Sequence, residues 1–190
     1  MLHIIKKDLP NFPNEVIEEW LMPYAKTIGW PPTNDRWVGI LSARPLTFWR
    51  STIWEQAKLD LSLITFSGET LNCFSGLRDA YLFGKDNSYA RFIDNGKQRY
   101  LSALSYILRT GNFPKPIHLL LENNEYSIVD GNHRFTAWWA AAQMADAIIK
   151  TEKNGNSEAT KQLRVSLAQK WNVEDIKLPS ALQNVWIAKQ

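Results

Sequence analysis

Apolar residues recur at helical spacing in a stretch near the N-terminus. The spacing predicts a helix over residues 14–24, with Asn14 as its cap. The apolar face of that helix consists of Val16, Ile17, Trp20 and Leu21. An uninterrupted apolar run at residues 37–41 then favours a short strand. Residues 47–61 again place apolar side chains near one side and predict a second helix.

The middle of the chain begins with a region of mixed signals. Glycines interrupt residues 62–95, and we expect that region to be irregular. A clear amphipathic pattern follows and predicts a helix that Asp94 or Asn95 caps and that continues to about Thr110. Gly111 then ends the helix, because glycine is favoured just past a helix C-terminus.

A β-hairpin is predicted next. Two apolar runs of strand length, residues 117–121 and 126–129, flank a polar turn at residues 122–125. Asp130-Gly131 ends the second strand, and a helix begins near Asn132 with an alanine-rich side that suits close packing on a sheet. We expect the chain to return to that sheet as a strand at residues 147–149.

The tail and two loops complete the organisation. Residues 30–35 and 151–157 have loop composition, residues 158–170 predict a helix, and residues 185–187 favour an end strand. We expect a mixed α+β fold with a small mixed sheet, packed helices and a helical N-terminal extension. Its parts are an N-terminal portion (1–95), a core (96–150) and a C-terminal helix with a possible strand (151–190), packed as one compact domain.

Composition narrows the classes of function. The net charge is only +3, from 22 basic and 19 acidic side chains. A protein that depends on phosphate contacts along DNA shows a stronger basic cluster, so extended nucleic acid is permitted but not indicated. Nine tryptophans could stack bases or contact a partner protein, but we expect core packing. The candidates for stacking are Trp30, Trp37, Trp49 and Trp54.

Cysteine content and hydropathy narrow the classes further. Cys73 is the only cysteine, which rules out an internal disulfide or a multi-cysteine zinc site, and we expect it to be a small buried hydrophobe. No apolar run reaches the length of a membrane span, and residues 1–10 do not resemble a signal peptide. A cytoplasmic protein without membrane contact is expected.

The candidate chemistry lies where the hairpin turns into the helix. The first amides of a helix lack internal partners and the helix dipole is positive there, so this turn is suited to an anion. Gly131 leaves room for a ligand, and Asp130 can cap the helix or hold a divalent cation. His133 and Arg134 are cations in an unfavourable place for the dipole, a conflict that a bound phosphate would remove.

An ordinary structural explanation stays open beside this one. In it Asp130 only caps the helix, His133 is a surface histidine with its hydrogen bonds satisfied, and Arg134 pairs with a neighbouring acid.

Residues 99–149 resemble the core of the ParB/sulfiredoxin superfamily. The likeness rests on a glycine before Pro116-Ile117, on the following hairpin, and on the motif Asp130-Gly131-Asn132-His133-Arg134 opening an alanine-rich helix. Members of that superfamily bind nucleotide phosphates at this turn. Some of them hydrolyse CTP, some transfer phosphate from ATP or ADP, some reduce oxidised cysteine, and others are described as nucleases.

Carried to this chain, the resemblance implies specific roles. The phosphate of ATP, ADP or CTP would be held by Gly131, Asn132 and the following amides. His133 and Arg134 would be its side-chain ligands. Asp130 would bind magnesium or act as a general base. Asp130, His133 and Arg134 are then the catalytic candidates. Asn132 stands where sulfiredoxins carry their reactive cysteine, so sulfinic-acid reduction is not expected. The tail after residue 150 is too short for the helix-turn-helix and dimerisation segments of partition proteins.

Residues outside the motif are weaker candidates. Metal binding by the isolated His3 and His118 is not expected. Four arginines could complete a phosphate pocket, although solvated surface positions are the simpler expectation, and three acids are possible bases. These residues are Arg44, Arg78, Arg91 and Arg99, and Glu55, Glu69 and Asp79.

Three hypotheses follow from the sequence. The leading one is a bacterial-type protein that binds a nucleotide with magnesium and hydrolyses it or transfers its phosphate. The second is a DNA-acting nuclease or a DNA-modification accessory protein. The third is a binding module without turnover, whose Trp-rich N-terminal portion meets a partner protein.

Overall fold

The computed structural model describes residues 1–86 and 95–190. Within these residues one mixed sheet has the strand order β1-β4-β2-β3. Its strands are β1 (Ile53–Asp60), β2 (Ile117–Glu122), β3 (Glu125–Asp130) and β4 (Leu182–Lys189). β4 is antiparallel to β1 and parallel to β2, and β2 and β3 form an antiparallel hairpin. The N-terminal portion, the core and the tail therefore all contribute strands to the same sheet.

Helices cover both faces of this sheet. The predicted mixed α+β fold is confirmed. The helix α2 runs over residues 14–28 and contains a π-helical segment at Ile17–Leu21 between two α-helical ones. The other helices are α1 (Leu2–Asp8), α3 (Arg36–Ile40), α4 (Leu46–Arg50), α5 (Gly68–Leu82), α6 (Gly96–Thr110), α7 (Asn132–Lys153) and α8 (Ser157–Trp171).

One face of the sheet carries an aromatic cluster that we call the tryptophan layer. It is formed by α1–α4 and β1, and its large rings are those of Trp20, Trp37, Trp49 and Trp54. Trp20, Trp49 and Trp54 contact each other edge-on or stacked, for example Trp20 and Trp49 at 5.1 Å between centroids, and Trp37 contacts Trp30 edge-on. Leu120, Val129 and Ala188 from three strands pack against this layer. The expectation that these tryptophans fill a core is confirmed.

The opposite face of the sheet packs against α5–α8. Ile117, Leu119 and Ile128 point to this side, where they meet the buried residues of α6 and α7. Neighbouring residues of β2 thus serve different layers, because side chains alternate across a strand. The sheet is consequently buried on both faces, and the first residues of β2 lie between the two cores.

Several predicted elements in the second half of the chain are confirmed. α6 ends at Gly111 with a φ of 79°. The hairpin turns through Asn123 and Asn124, both at positive φ, as tight hairpin turns require. The tail contains the predicted helix and strand as α8 and β4. Asn95 precedes α6 without a side-chain capping bond, and the alternative cap Asp94 lies outside the described residues.

Two predictions in the N-terminal portion are wrong. Residues 37–41 belong largely to the helix α3, which starts after an Asn34 side chain that accepts a hydrogen bond from the Arg36 amide. Residues 47–61 divide into α4 and β1, because all eight residues of β1 pair with β4. The apolar spacing at 47–61 fits a helix equally well, so only pairing with a distant strand decides it. Asn14 begins α2, but its side chain does not cap it.

Two further predictions fail for reasons of packing. The region 62–95 contains the helix α5, which Ser67 caps by accepting from the Thr70 amide, and the glycine at position 76 is buried within it. A glycine inside a helix costs only about 1 kcal/mol, which burial readily outweighs. Residues 147–149 continue α7 as helix, with Ile148 in the core. The strand that pairs in parallel with β2 is β4, from the tail.

Gly131 joins β3 to α7 in a conformation that favours glycine. Its φ is +107°, and a Cβ atom built there would lie 2.6 Å from Ile117 Cγ2. The glycine is therefore required by the backbone and by the packed Ile117 side chain. The predicted room for a ligand at its Cα is occupied by protein.

We expect Gly131→Ala to destabilise the fold more than Gly155→Ala. Gly155 also has positive φ, at +73°, but no atom lies within 4 Å of the position that a Cβ atom would take there. In both variants an alanine must adopt a positive φ, which alanine disfavours. Only Gly131→Ala also overpacks the interior, which typically costs about 1–3 kcal/mol. Urea denaturation of both variants measures the difference, and equal unfolding free energies would contradict it.

Candidate functional site

The site is built where β3 ends beside the first residues of β2. A β-bulge shifts the register between His118 and Leu119, so that Asp130 pairs with His118. Because Val129 already packs against the tryptophan layer, regular alternation would send Asp130 to the other face. The extra residue instead brings the carboxylate next to the imidazole. His118 is fully buried, with 0% exposure.

Asp130 is the centre of a partly buried ion network. Its Oδ2 accepts a hydrogen bond from Arg134 Nη2 at 2.6 Å and lies 3.2 Å from His118 Nδ1. Burial acts to raise the pKa of Asp130, but the hydrogen bond from His118 and the charge of Arg134 outweigh it and hold that pKa below its ordinary value. The carboxylate is therefore ionised at neutral pH.

Asp130 does not have the predicted capping role, and its surroundings do not favour the predicted magnesium role. The N-cap of α7 is Gly131, so Asp130 does not cap the helix. Its Oδ2 is shared by Arg134 and His118, and a guanidinium at 2.6 Å is a poor neighbour for a divalent cation. The described residues also contain no group of three or more His, Cys, Asp or Glu side chains suited to a metal ion. These donors do not fit a protein-held magnesium ion.

The amides at the start of α7 are free of intrahelical partners. The first helical bond runs from the Phe135 amide to the Gly131 carbonyl, so the amides of Asn132, His133 and Arg134 have no acceptor within the helix. The side-chain Oδ1 of Asn132 is buried and has no hydrogen-bond partner among the described residues. The start of α7 thus has polar groups that are available for further hydrogen bonds.

His133 points to α5, away from Asp130 and β2. Its Nε2 lies 3.2 Å from the Tyr81 hydroxyl, and the two rings stack with centroids 5.8 Å apart. Burial lowers the pKa of His133 to about 4, and the nearby charges of Arg99 and Arg134 add to this effect. His133 is neutral at pH 7.

The charge conflict inferred from the sequence is resolved within the chain. His133 carries no charge at neutral pH, and the charge of Arg134 is paired with Asp130. The pairing of Arg134 with a neighbouring acid is what the ordinary structural explanation expected. That explanation is wrong for Asp130, which does not cap α7, whereas His133 is partly buried and has a hydrogen-bond partner in the Tyr81 hydroxyl.

Arg134 still has donor capacity. Only its Nη2 is used by Asp130, and its Nε is buried without a hydrogen-bond partner among the described residues. A guanidinium has five N–H donors, so this side chain can bind a second acceptor while it keeps its ion pair. An unpaired buried donor costs about 1–3 kcal/mol, which an incoming oxygen atom would recover.

Arg99 and Tyr24 join Tyr81 and His118 as residues of the site that lie outside the motif. Arg99, an exposed residue in the first turn of α6, lies close enough for its charge to act on both His133 and the Tyr24 hydroxyl. Burial raises the pKa of Tyr24, and the charge of Asp130 adds to the rise. Arg99 was among the weaker candidates in the sequence. Tyr24, Tyr81 and His118 were missed as site residues, because only folding brings α2, α5 and β2 to the start of α7.

The remaining candidate arginines and the isolated His3 lie elsewhere. Arg44 pairs with Glu122 at 2.8 Å, and Arg78 pairs with Asp79 at 3.1 Å, while Arg91 lies outside the described residues. His3 is exposed on α1.

The candidate acids are also engaged or distant. Glu55 pairs with Lys189 at 2.6 Å, Asp79 pairs with Arg78 and Lys85, and Glu69 lies in the first turn of α5. Burial raises the pKa of Cys73 to about 11, with a contribution from Glu69. A thiol with such a pKa is a poor nucleophile. Cys73 is only partly buried, so the expectation of a small buried hydrophobe is met only in part.

Comparisons with known proteins gave no match: none of the family models, curated proteins or solved structures is similar to this chain. Among the described residues, no helix is long and apolar enough to cross a membrane.

We expect the free energy of unfolding to fall between pH 6.5 and pH 4 because of His133. In the unfolded chain a histidine takes up a proton near pH 6.5, whereas folded His133 does so only near pH 4. In that window the unfolded state binds more protons, so acid favours unfolding. Urea titrations at pH 7 and pH 5 measure the loss. His133→Gln should show a smaller loss, and an equal loss in both proteins would contradict the assignment.

Proposed function

We propose that the start of α7 binds the phosphate groups of a nucleoside di- or triphosphate. The observation that carries this proposal is an excess of positive groups among the described residues: Arg99 and Arg134 lie near the carboxylate of Asp130, beside three helix amides without intrahelical partners. Such a group of donors favours an oxyanion. The resemblance to the ParB/sulfiredoxin superfamily, which itself stays a prediction, implies the same class of ligand.

The proposed phosphate position lies between α6 and α7. The amides of residues 132–134 and the guanidinium of Arg99 donate to its oxygens, and Arg134 adds the terminal N–H groups that Asp130 does not use. Asp130 keeps Arg134 in place through the remaining Nη2 bond. A dianionic phosphate at this point also raises the pKa of His133, because its charge opposes that of the two arginines.

The reaction that suits this arrangement is phosphoryl transfer to water or to a small acceptor. The oxygen of the acceptor attacks the terminal phosphorus, the bond to the bridging oxygen breaks, and the leaving nucleotide keeps that electron pair. His133 accepts the proton of the attacking hydroxyl, while Arg134 and the helix amides stabilise the charge on the moving group. Magnesium would be brought to the site bound to the phosphates of the nucleotide.

The nucleotide and its turnover are open to direct measurement. A thermal-shift panel of ATP, ADP and CTP, each with and without magnesium, identifies the base, because a bound ligand raises the apparent stability. Binding without release of phosphate would instead support the non-catalytic module. Binding of DNA that falls steeply with added salt, without nucleotide binding, would support the DNA-acting alternative.

We expect Arg99→Ala to weaken nucleotide binding at least about tenfold, since a charge-assisted contact contributes roughly 1.5–3 kcal/mol. Arg99 is exposed, so the fold should persist. Lys97→Ala is the matched control: it removes an exposed positive charge from the same turn of α6 without a contact to the site. Isothermal titration calorimetry with ATP measures both, and equal affinities would contradict the proposal.

Arg134→Ala should abolish detectable binding. Because this variant also leaves Asp130 buried without its cation, it can lower stability by about 3–5 kcal/mol. Arg134→Lys keeps the charge but loses the planar set of donors, and we expect it to fold and to bind nucleotide weakly. Arg44→Ala, which breaks an ion pair at the hairpin end, serves as the control. Wild-type affinity in Arg134→Lys and Arg134→Ala would end the proposal.

Nucleotide binding should also change the titration of His133. We expect its pKa to rise from about 4, because the phosphate supplies negative charge close to the ring. Proton NMR of the His133 ring at increasing pH, with and without ADP, measures this shift. An unchanged pKa with saturating ADP would place the phosphate elsewhere.

A further inference from the structure

His118 stands between the candidate site and the tryptophan layer. Its ring stacks on Trp20, with centroids 6.3 Å apart and planes inclined by 22°, and meets Trp54 edge-on at 6.2 Å. These rings leave the imidazole little freedom to turn. On its other side, Nδ1 faces Asp130. The orientation of this one side chain is therefore determined by the N-terminal helices and β1.

The hydrogen bond to Asp130 selects one form of the His118 ring. The Asp130 carboxylate is ionised and can only accept, so the hydrogen must lie on His118 Nδ1. In the neutral ring Nε2 is then an acceptor, and it is buried without a hydrogen-bond partner among the described residues. The donor Nε1 of Trp54 is equally buried and unpaired there. The two adjoining rings thus have complementary polar atoms.

The same carboxylate oxygen fixes Arg134. Both His118 Nδ1 and Arg134 Nη2 are bonded to Asp130 Oδ2. Without the bond from His118, the carboxylate could rotate about its side-chain torsions and take Arg134 with it. A guanidinium that must meet a phosphate depends on its orientation, since misplacement by about 1 Å can cost on the order of a hundredfold in activity.

We propose that His118 is a positioning residue, through which the tryptophan layer holds Asp130 and thereby orients Arg134 towards the phosphate. The proposal rests on the proposed function. It implies that the Trp-rich N-terminal portion contributes to phosphate binding by holding His118 in place. His118 itself has no contact with the ligand. Its effect reaches the site through two hydrogen bonds, from His118 Nδ1 to Asp130 Oδ2 and from Arg134 Nη2 to the same oxygen.

Two substitutions separate positioning from simple packing. The amide nitrogen of His118→Asn can replace the Nδ1–H donor, whereas His118→Leu fills similar space without a donor. We expect His118→Leu to bind ADP at least about tenfold more weakly than wild type, and His118→Asn to stay within about threefold, as the loss and rescue of one charge-assisted hydrogen bond require. Calorimetric titration with ADP measures both.

Leu120→Ala provides the matched control. Leu120 is buried on the same strand and packs against the same tryptophan layer, but it does not belong to the ion network. This variant should lower the melting temperature and leave ADP affinity unchanged. If Leu120→Ala weakens ADP binding as much as His118→Leu does, the effect is general destabilisation and the proposal is overturned.

A second readout does not require nucleotide binding. In ¹⁵N NMR spectra of the free protein, we expect the His118 ring to show a protonated Nδ1. The Arg134 Nε–H resonance should shift or broaden in His118→Leu and stay close to wild type in His118→Asn. Failure of wild type to bind nucleotide would refute the proposed function alone. An unperturbed Arg134 resonance in His118→Leu would refute the positioning role, whatever the ligand.

Discussion

The structure depends on how one partly buried carboxylate is neutralised. Asp130 lies at the junction of β3 and α7, and a single oxygen of its side chain is bonded to a guanidinium from α7 and faces an imidazole from β2. Removing one partner from a buried ion pair typically costs about 3–5 kcal/mol, so these groups must stay together in the folded state. The bulge that brings His118 opposite Asp130, the positive φ of Gly131 and the aromatic rings around His118 all serve this arrangement.

The same arrangement explains why the start of α7 suits an anion. Pairing with Asp130 uses one nitrogen of Arg134 and leaves its Nε unpaired among the described residues. Arg99 adds a second guanidinium from the neighbouring helix, and their combined field helps to keep His133 neutral. Local positive charge and unused donors are therefore concentrated at the first turn of a long helix, where the helix dipole adds to both.

The residues of the site could be located from the sequence, but their partners could not. A strand that ends in Asp-Gly and turns into an alanine-rich helix is a local pattern, and it pointed to Asp130, His133 and Arg134 without knowledge of the fold. The expected capping role of Asp130 was wrong, and its magnesium role stays a prediction; its carboxylate is engaged by Arg134 and by His118, which is twelve residues away on another strand. His118 looked isolated in the sequence, since nothing local shows that a β-bulge will place it opposite Asp130.

The sequence by itself determined the elements whose signals are short-range: α6 with its glycine stop, the Asn-Asn hairpin, the start of α7 and the helix and strand of the tail. Tertiary structure decided the rest. Residues 53–60 have an apolar spacing that suits a helix, and they form a strand only because β4 offers eight pairing partners. Likewise, the tryptophan layer packs against His118 only when α1–α4 cover the sheet. Pairing and packing between distant segments follow from their complementarity in three dimensions, which periodicity along the chain does not contain.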